Sequence, residues 1–302
     1  MIDYIVFGTI GVGVLILVAL ITSFPREPDN LRHEKSFLGD KNPLPSFTDA
    51  AELDLTVVIP AYNEQDRLPA MLEECVECLS TSKKQTYEII VVDDGSKDGT
   101  SNVVEKLSKK NKHVKCLKLM QNRGKGHAVK MGMMCARGSK IFFADADRAM
   151  PFTEFQKINK VMADSVGEQH ELIVVGSRAH LEKDSIAQRS LFRTILMKGF
   201  HLLVQIFCVR TVKDTQCGYK LFTRSAAQRI LPQLHLQRWA FDVELLFIAE
   251  RLSIPLKEVA IKWDEIDGSK MTPVFSWIEM GRDLVLIWLR YAIGYWRIDL
   301  ST

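Results

Sequence analysis

The chain has 302 residues, is 47% hydrophobic and 25% charged, and carries a formal net charge of +3. That length and apolar content support one large domain or two modest ones with a substantial core. A charge excess of +3 is too small to point to nucleic acid, which is not expected as a partner, although it suits phosphorylated substrates or an anionic membrane surface.

Ile5 to Phe24 is an uncharged run about as long as one bilayer crossing. The leading Met1, Ile2 and Asp3 lack the basic start of a cleaved signal peptide. Arg26, Arg32 and Lys35 follow the run, so the positive-inside rule places the remainder in the cytosol. The expected organisation is a transmembrane anchor over 1–25, a polar, proline-containing tether over 26–52, an α/β domain over 53–270 and an amphipathic interface helix over 271–302. LTVVIP (Leu55–Pro60) reads as a buried strand, Arg67 to Leu79 as a helix and Glu88 to Asp94 as a second strand. A helix over Thr100 to Lys109, a strand over Val114 to Met120, a helix over His127 to Ala136 and strands over Lys140 to Asp147 and Leu172 to Arg178 complete the alternation. Strand and helix repeated in this way predict a mainly parallel, Rossmann-like sheet with helices on both faces. In such sheets ligands sit at the carboxyl ends of the strands. Cys75 and Cys78 have the spacing of a redox or zinc pair, but they lie in an amphipathic helix with no second pair, so they read as ordinary reduced thiols.

The polar motifs fall at those strand ends. Asp145-Ala146-Asp147 follows the apolar IFFA and offers two hard carboxylates to one Mg²⁺ or Mn²⁺, whose shell a diphosphate can complete. VVDDGSKDGT (Val91–Thr100) is a strand, turn and helix start, and Asp94 is placed to accept from a nucleobase imide. In VVIPAYNE (Val57–Glu64), Pro60 ends the strand, Tyr62 offers a ring for base stacking and Glu64 can accept from a ribose hydroxyl. NRGKGHAVKMG (Asn122–Gly132) matches neither the phosphate loop nor the dinucleotide fingerprint, which disfavours a nicotinamide dehydrogenase. Its Arg123 and Lys125 are still placed to meet phosphate at a helix start.

In this order, the four motifs resemble the inverting family-2 glycosyltransferases of the GT-A fold, from about Leu55 to Trp263. The resemblance implies that Pro60, Tyr62, Glu64, Asp94, Asp145 and the intervening Ala146 line a nucleotide sugar, and that Asp147 holds the metal. DTQCGYKLFTRSAA (Asp214–Ala227) and RWAFDVELLF (Arg238–Phe247) resemble the branch that glucosylates dolichyl phosphate, with the mannosyl-phosphate synthases as close relatives. That likeness implies UDP-glucose as donor, dolichyl phosphate as acceptor and the endoplasmic reticulum membrane as location. Gln237, Arg238 and Trp239 are contiguous, unlike the Q-x-x-R-W of processive polysaccharide synthases, which speaks against polymer export.

An acceptor lipid must be met at the bilayer surface, and two segments suit this. Ile186 to Val209 mixes Arg189, Arg193, Lys198 and His201 with apolar residues. Val274 to Ile298 places Glu279, Arg282, Asp283, Arg290 and Arg297 on one side of a helix otherwise rich in apolar residues and tryptophan. A single in-line displacement with inversion is expected, and an acceptor phosphate that is already an anion has little need of a strong base. Asp147, Asp242 and Arg178 are the expected catalytic residues, with Asp242 a base or an acceptor-orienting group. Arg189, Arg193 and Lys220 are the expected acceptor-phosphate ligands, and which cation grips which phosphate stays open at this stage. The alternatives are a mannosyl donor, or a non-catalytic nucleotide-sugar-binding scaffold at the membrane.

Overall fold

The computed structural model describes residues 36–40, 42–81, 85–167, 170–181, 191–264 and 273–300. Seven strands form one sheet: β1 (Leu53–Ala61), β2 (Tyr87–Asp93), β3 (Val114–Lys118), β4 (Gly138–Phe143), β5 (Ile173–Ser177), β6 (Lys220–Thr223) and β7 (Leu256–Ala260), in the spatial order β3-β2-β1-β4-β6-β5-β7. β1 lies between β2 and β4, parallel to both. Its run Leu55 to Ile59 is completely buried, as a central strand covered on both faces requires.

Every strand expected from the sequence coincides with one of β1 to β5. β6 and β7 were not expected, and β6 runs antiparallel to both β4 and β5, so the sheet is mixed. β4 ends at Phe143 rather than continuing through the aspartates. Ala144 still donates to the Val58 carbonyl at 3.0 Å, and the chain then leaves the sheet. The helices are α1 (Leu68–Ser80), α2 (Thr100–Lys110), α3 (Lys125–Met133), α4 (Phe155–Val166), α5 (Leu191–Phe207), α6 (Arg224–Ile230), α7 (Phe241–Arg251) and α8 (Pro273–Ala292).

The expected anchor over 1–25 lies outside the described residues. Among the described residues no helix is long and apolar enough to cross a membrane. The expected tether is, from Ser36 onward, a packed strap. Phe37 and Phe47 are buried in the core, and the Leu38 N–H donates to the Cys116 carbonyl at 2.8 Å. Arg224 fastens it: its guanidinium donates to the carbonyls of Phe47 and Asp49 in the strap, of Ala136 just before β4 and of Gly138 at the start of β4. A planar fork with several donors is suited to gathering carbonyls from two strands of chain.

α8 corrects the helical-wheel reading. Met280, Asp283, Leu284, Ile287 and Arg290 are all buried, so two of the charges assigned to the wet side face the domain. The outward face carries Val285 and Trp288, and Glu279 pairs with Arg238 at 3.2 Å. Arg297 lies beyond the end of the helix. The 270/271 boundary therefore does not separate two packing units, because Met280, Leu284, Ile287 and Trp296 belong to the same core as the sheet.

Candidate active site

β1, β2, β4 and β5 run in one direction, so their carboxyl ends open on one side of the sheet. Beyond β4, Asp145 and Asp147 are half-buried and the Ala146 between them is buried. The Lys125 ammonium, in the first turn of α3, meets Asp145 Oδ1 at 2.5 Å. On the other side Gly218 presses on the same carboxylate: a Cβ there would lie 2.0 Å from Asp145 Oδ2. Asp147 Oδ1 accepts from the Ala149 N–H at 3.0 Å, and Arg148 between them takes a left-handed φ of 65°. Tyr219 Oη ties the next turn by donating to the Met150 carbonyl at 2.7 Å.

Gly218 was not singled out from the sequence, although it lies in the quoted DTQCGYKLF run. Gly218→Ala is expected to lower kcat by about 100-fold, the cost of roughly 1 Å of misplacement at a reacting centre. The clash is with a side-chain carboxylate rather than with backbone, so the melting temperature should hardly move. Steady-state kinetics beside a thermal melt checks both parts.

The ends of β1 and β2 are cross-tied. Asn63, with a left-handed φ of 54°, accepts from the Lys97 N–H at 2.8 Å, and its own N–H reaches Ser96 Oγ at 2.9 Å. Glu64 is buried, and its carboxylate receives the Arg67 fork at 2.6 and 2.5 Å. Asp93 is a turn-former: it accepts from the Ser96 N–H at 2.8 Å and from the Ser101 hydroxyl. Asp94 takes the N–H groups of Arg123 and Gly124 at 3.1 and 2.8 Å. Burial pushes its carboxyl above the ordinary value, and those two N–H groups work against that rise. Asp94 thus holds the start of α3, whose first residue holds Asp145. Tyr62 and Pro60 lie half-buried at the β1 end of the same crevice.

Two further ion pairs complete the polar floor. Lys220, on β6, is completely buried, and its ammonium donates to Asp242 Oδ1 at 2.6 Å and to the Cys217 carbonyl at 2.6 Å. This corrects the expectation for Lys220: inside the sheet, with Asp242 and a carbonyl on its ammonium, it holds Asp242 instead of offering a surface hook to an acceptor phosphate. Burial raises the Asp242 carboxyl, and Lys220 and Lys125 oppose the rise. Burial also pulls the Lys125 ammonium down, but Asp145, Asp242 and Asp147 together outweigh it and keep Lys125 above its ordinary value.

Arg178, at the end of β5, forks onto Asp214 through Nε and Nη2 at 2.7 and 2.8 Å, and its N–H donates to the same carboxylate at 2.8 Å. Burial tends to raise Asp214, but Arg178 outweighs it and holds the carboxyl below the usual range. A lowered folded value stabilises fully above the ordinary aspartate pKa of about 3.9 and is lost as pH falls through the folded value. Asp214→Asn is therefore expected to cost about 2 kcal/mol at neutral pH. Melts across pH should show the gap to the wild type closing in strongly acidic buffer.

Arg189 lies outside the described residues, and of Arg193 only its place on α5 is described. An open cavity of about 520 Å³ lies between the ends of β5 and β7 and α5, lined by Ser177, Ala179, His180, His201, Gln205, Lys213, Glu258 and Ala260. Among the described residues no three His, Cys, Asp or Glu side chains gather as a metal cage. Two half-buried carboxylates at a strand end still fit Mg²⁺ or Mn²⁺, which take one or two protein carboxylates and complete their shell with phosphate and water.

Carboxylates on adjacent parallel strand ends, a basic first helical turn and an acidic pair beyond β4 thus gather at one mouth of the sheet, an arrangement suited to a phosphorylated, metal-bridged ligand. The family model for glycosyl transferase family 2 matches residues 56–231. The chain is 48% identical over 309 aligned residues to the dolichyl-phosphate beta-glucosyltransferase of Drosophila melanogaster, spanning 98% of this chain and 95% of the relative. It is 50% identical over 298 residues to that of Homo sapiens, spanning 95% and 92%. Two solved structures share the fold at low identity. Mannosyl-3-phosphoglycerate synthase from Rubrobacter xylanophilus aligns with a TM-score of 0.57 at 15% identity over 83% of this chain and 77% of that one. Glucosyl-3-phosphoglycerate synthase from Mycobacterium tuberculosis, solved with Mg²⁺ and UDP, aligns at 0.52 and 17% over 80% of each. The chain belongs to glycosyl transferase family 2 and, within it, to the dolichyl-phosphate beta-glucosyltransferase group.

Proposed function

We propose that the chain transfers glucose from UDP-glucose to dolichyl phosphate with inversion, giving dolichyl β-D-glucosyl phosphate. The observation that carries the chemistry is the acidic pair beyond β4, with Asp145 wedged between the Lys125 ammonium and Gly218. The choice of sugar and lipid rests on relatives of that name at about half identity over nearly the whole chain.

Asp145 and Asp147 would hold Mg²⁺ or Mn²⁺. Bound there, the ion supplies the Lewis acidity that neutralises the departing diphosphate. Tyr62 stacks on the base, Pro60 shapes the wall beside it and Asp94 accepts from the base edge. Glu64, oriented by Arg67, accepts from the ribose, and Ala146 keeps the sugar-facing wall smooth. Lys125 and Arg123 sit where the diphosphate meets the start of α3. Arg178, Arg189 and Arg193 attract the acceptor phosphate. That phosphate attacks as an anion, so Asp242 serves by orienting Lys220 and, through charge, Lys125. The apolar residues Leu202, Ile206, Val285 and Trp288, exposed on α5 and α8, and Tyr295 just beyond α8 lie against the bilayer that holds the lipid. The uncharged run Ile5 to Phe24, followed by Arg26, Arg32 and Lys35, supports a place on the cytosolic face of the endoplasmic reticulum membrane.

The test incubates detergent-solubilised full chain with polyprenyl phosphate, Mg²⁺ and labelled UDP-glucose or GDP-mannose. Label should enter an organic-phase product from UDP-glucose alone. Product from GDP-mannose alone would overturn the sugar assignment, and none from either would overturn the enzyme reading.

A further inference from the structure

The start of α3, which carries Lys125 and is held by Asp94, packs without slack against the segment 234–238. The Gln237 carbonyl accepts from the His127 N–H at 2.9 Å, and the Leu234 carbonyl accepts from Lys130 Nζ at 2.8 Å. A Cβ on Gly126 would lie 2.6 Å from Phe241 Cβ and 2.9 Å from the Leu236 carbonyl oxygen. On Gly124 it would lie 2.7 Å from the Gln237 carbonyl oxygen, and that residue has φ 112°. Any shift of this wall is passed directly to the α3 start.

The wall is fixed in turn by one carboxylate. Glu244, on α7, is completely buried. Its Oε2 accepts from the Leu236 N–H at 2.6 Å, and both oxygens lie 3.1 Å from the His235 N–H. Oε1 also meets His235 Nδ1 at 2.9 Å and accepts from Tyr291 Oη at 3.0 Å. Tyr291 belongs to α8. Trp296, just beyond α8, lies flat on the His235 ring, with centroids 4.2 Å apart and planes 7° apart. A buried carboxylate is tolerated only where donors converge on it, and here they come from the wall and from α8.

We infer that Glu244 is a positioning residue for the donor: it sets the wall that fixes Gly124 and Lys125, and through Tyr291 and Trp296 it ties the nucleotide grip to the C-terminal helix. The inference rests on the donor reading above, in which Asp94 and Lys125 contact the nucleotide sugar. It makes the C-terminal stretch, remote in sequence and outside the crevice, a determinant of donor affinity.

The test measures UDP affinity by calorimetry with Mg²⁺, together with KM for UDP-glucose and for polyprenyl phosphate, on full-length Glu244→Gln, Tyr291→Phe and Trp296→Ala. The expected result is a rise of about tenfold in UDP Kd and UDP-glucose KM for Glu244→Gln, and of about threefold for the other two, with polyprenyl-phosphate KM within about twofold of wild type. A role in stability alone would lower the melting temperature without this split. Folded Glu244→Gln that binds UDP as the wild type does would overturn the inference. Should that variant not fold, unchanged UDP affinity in folded Tyr291→Phe and Trp296→Ala would overturn it equally. A wild type that binds no UDP would defeat the donor reading and the inference with it.

Discussion

Asp147→Asn is expected to cut kcat by about 1,000-fold, because removing the charge proposed to hold the metal forfeits several kcal/mol of leaving-group stabilisation and each 1.4 kcal/mol is tenfold. The fold should survive. Asp147 Oδ1 accepts the Ala149 N–H, and an asparagine carbonyl oxygen can accept the same bond. Metal-dependent UDP binding by calorimetry and a thermal melt separate the two effects: binding should become indifferent to Mg²⁺ while the melting temperature stays within a few degrees. A variant that keeps full turnover would remove the acidic pair from the chemistry.

Lys220→Met is expected to act on stability first. Lys220 is entirely buried against Asp242, so the methionine leaves a carboxylate in the interior without its cation. Breaking a buried pair from one side costs about 3–5 kcal/mol. In a domain of this size that lowers the melting temperature on the order of 10 °C. The sign of the pH dependence follows. Burial already raises Asp242, and removing Lys220 raises it further, so the folded protonated form is favoured and the deficit widens as pH rises. Melts in mildly acidic and mildly alkaline buffer should diverge in that direction. The double variant Lys220→Met/Asp242→Leu should regain much of the stability and none of the activity, since apolar replacement of both partners removes the stranded charge. A single variant as stable as the wild type at all pH values would show that the pair is not energetically coupled.

The strands that frame the crevice were legible in the sequence for a simple reason. Strands buried on both faces appear as apolar, β-branched runs, and VVIP, IIVV and LIVV are such runs. β6 was hidden because it is four residues long and carries a buried lysine, and β7 because LKEVA mixes charge with apolar residues along a partly exposed strand. Asp94, Asp145 and Asp147 were legible as strand-end motifs and Lys125, Lys220 and Arg178 as candidate cations, whereas their pairings were not. Lys125 with Asp145, Lys220 with Asp242 and Arg178 with Asp214 come together through tertiary packing, which no local spacing reveals. The glycines of NRGKGH matched no phosphate-binding fingerprint, and packing gives their reason: the segment 236–241 leaves no room for a side chain on Gly124 or Gly126. On α8, the charge pattern was visible but its orientation was not, since a helical wheel cannot say that Asp283 and Arg290 have the domain for a neighbour.

β6 follows β5 in the chain, lies next to it and runs the opposite way. Residues 178–219 therefore depart from one strand and come back to its neighbour, which pairs with β4 as well. The last residues of this excursion are fixed, since Gly218 abuts Asp145 and Tyr219 ties the turn at Met150, but the part ahead of Asp214 can be edited without altering a ladder among β1 to β4. Descendants of such a chain can be refitted for a different second substrate by editing that part alone, while Gly218 and the carboxylates at the ends of β1, β2 and β4 are inherited.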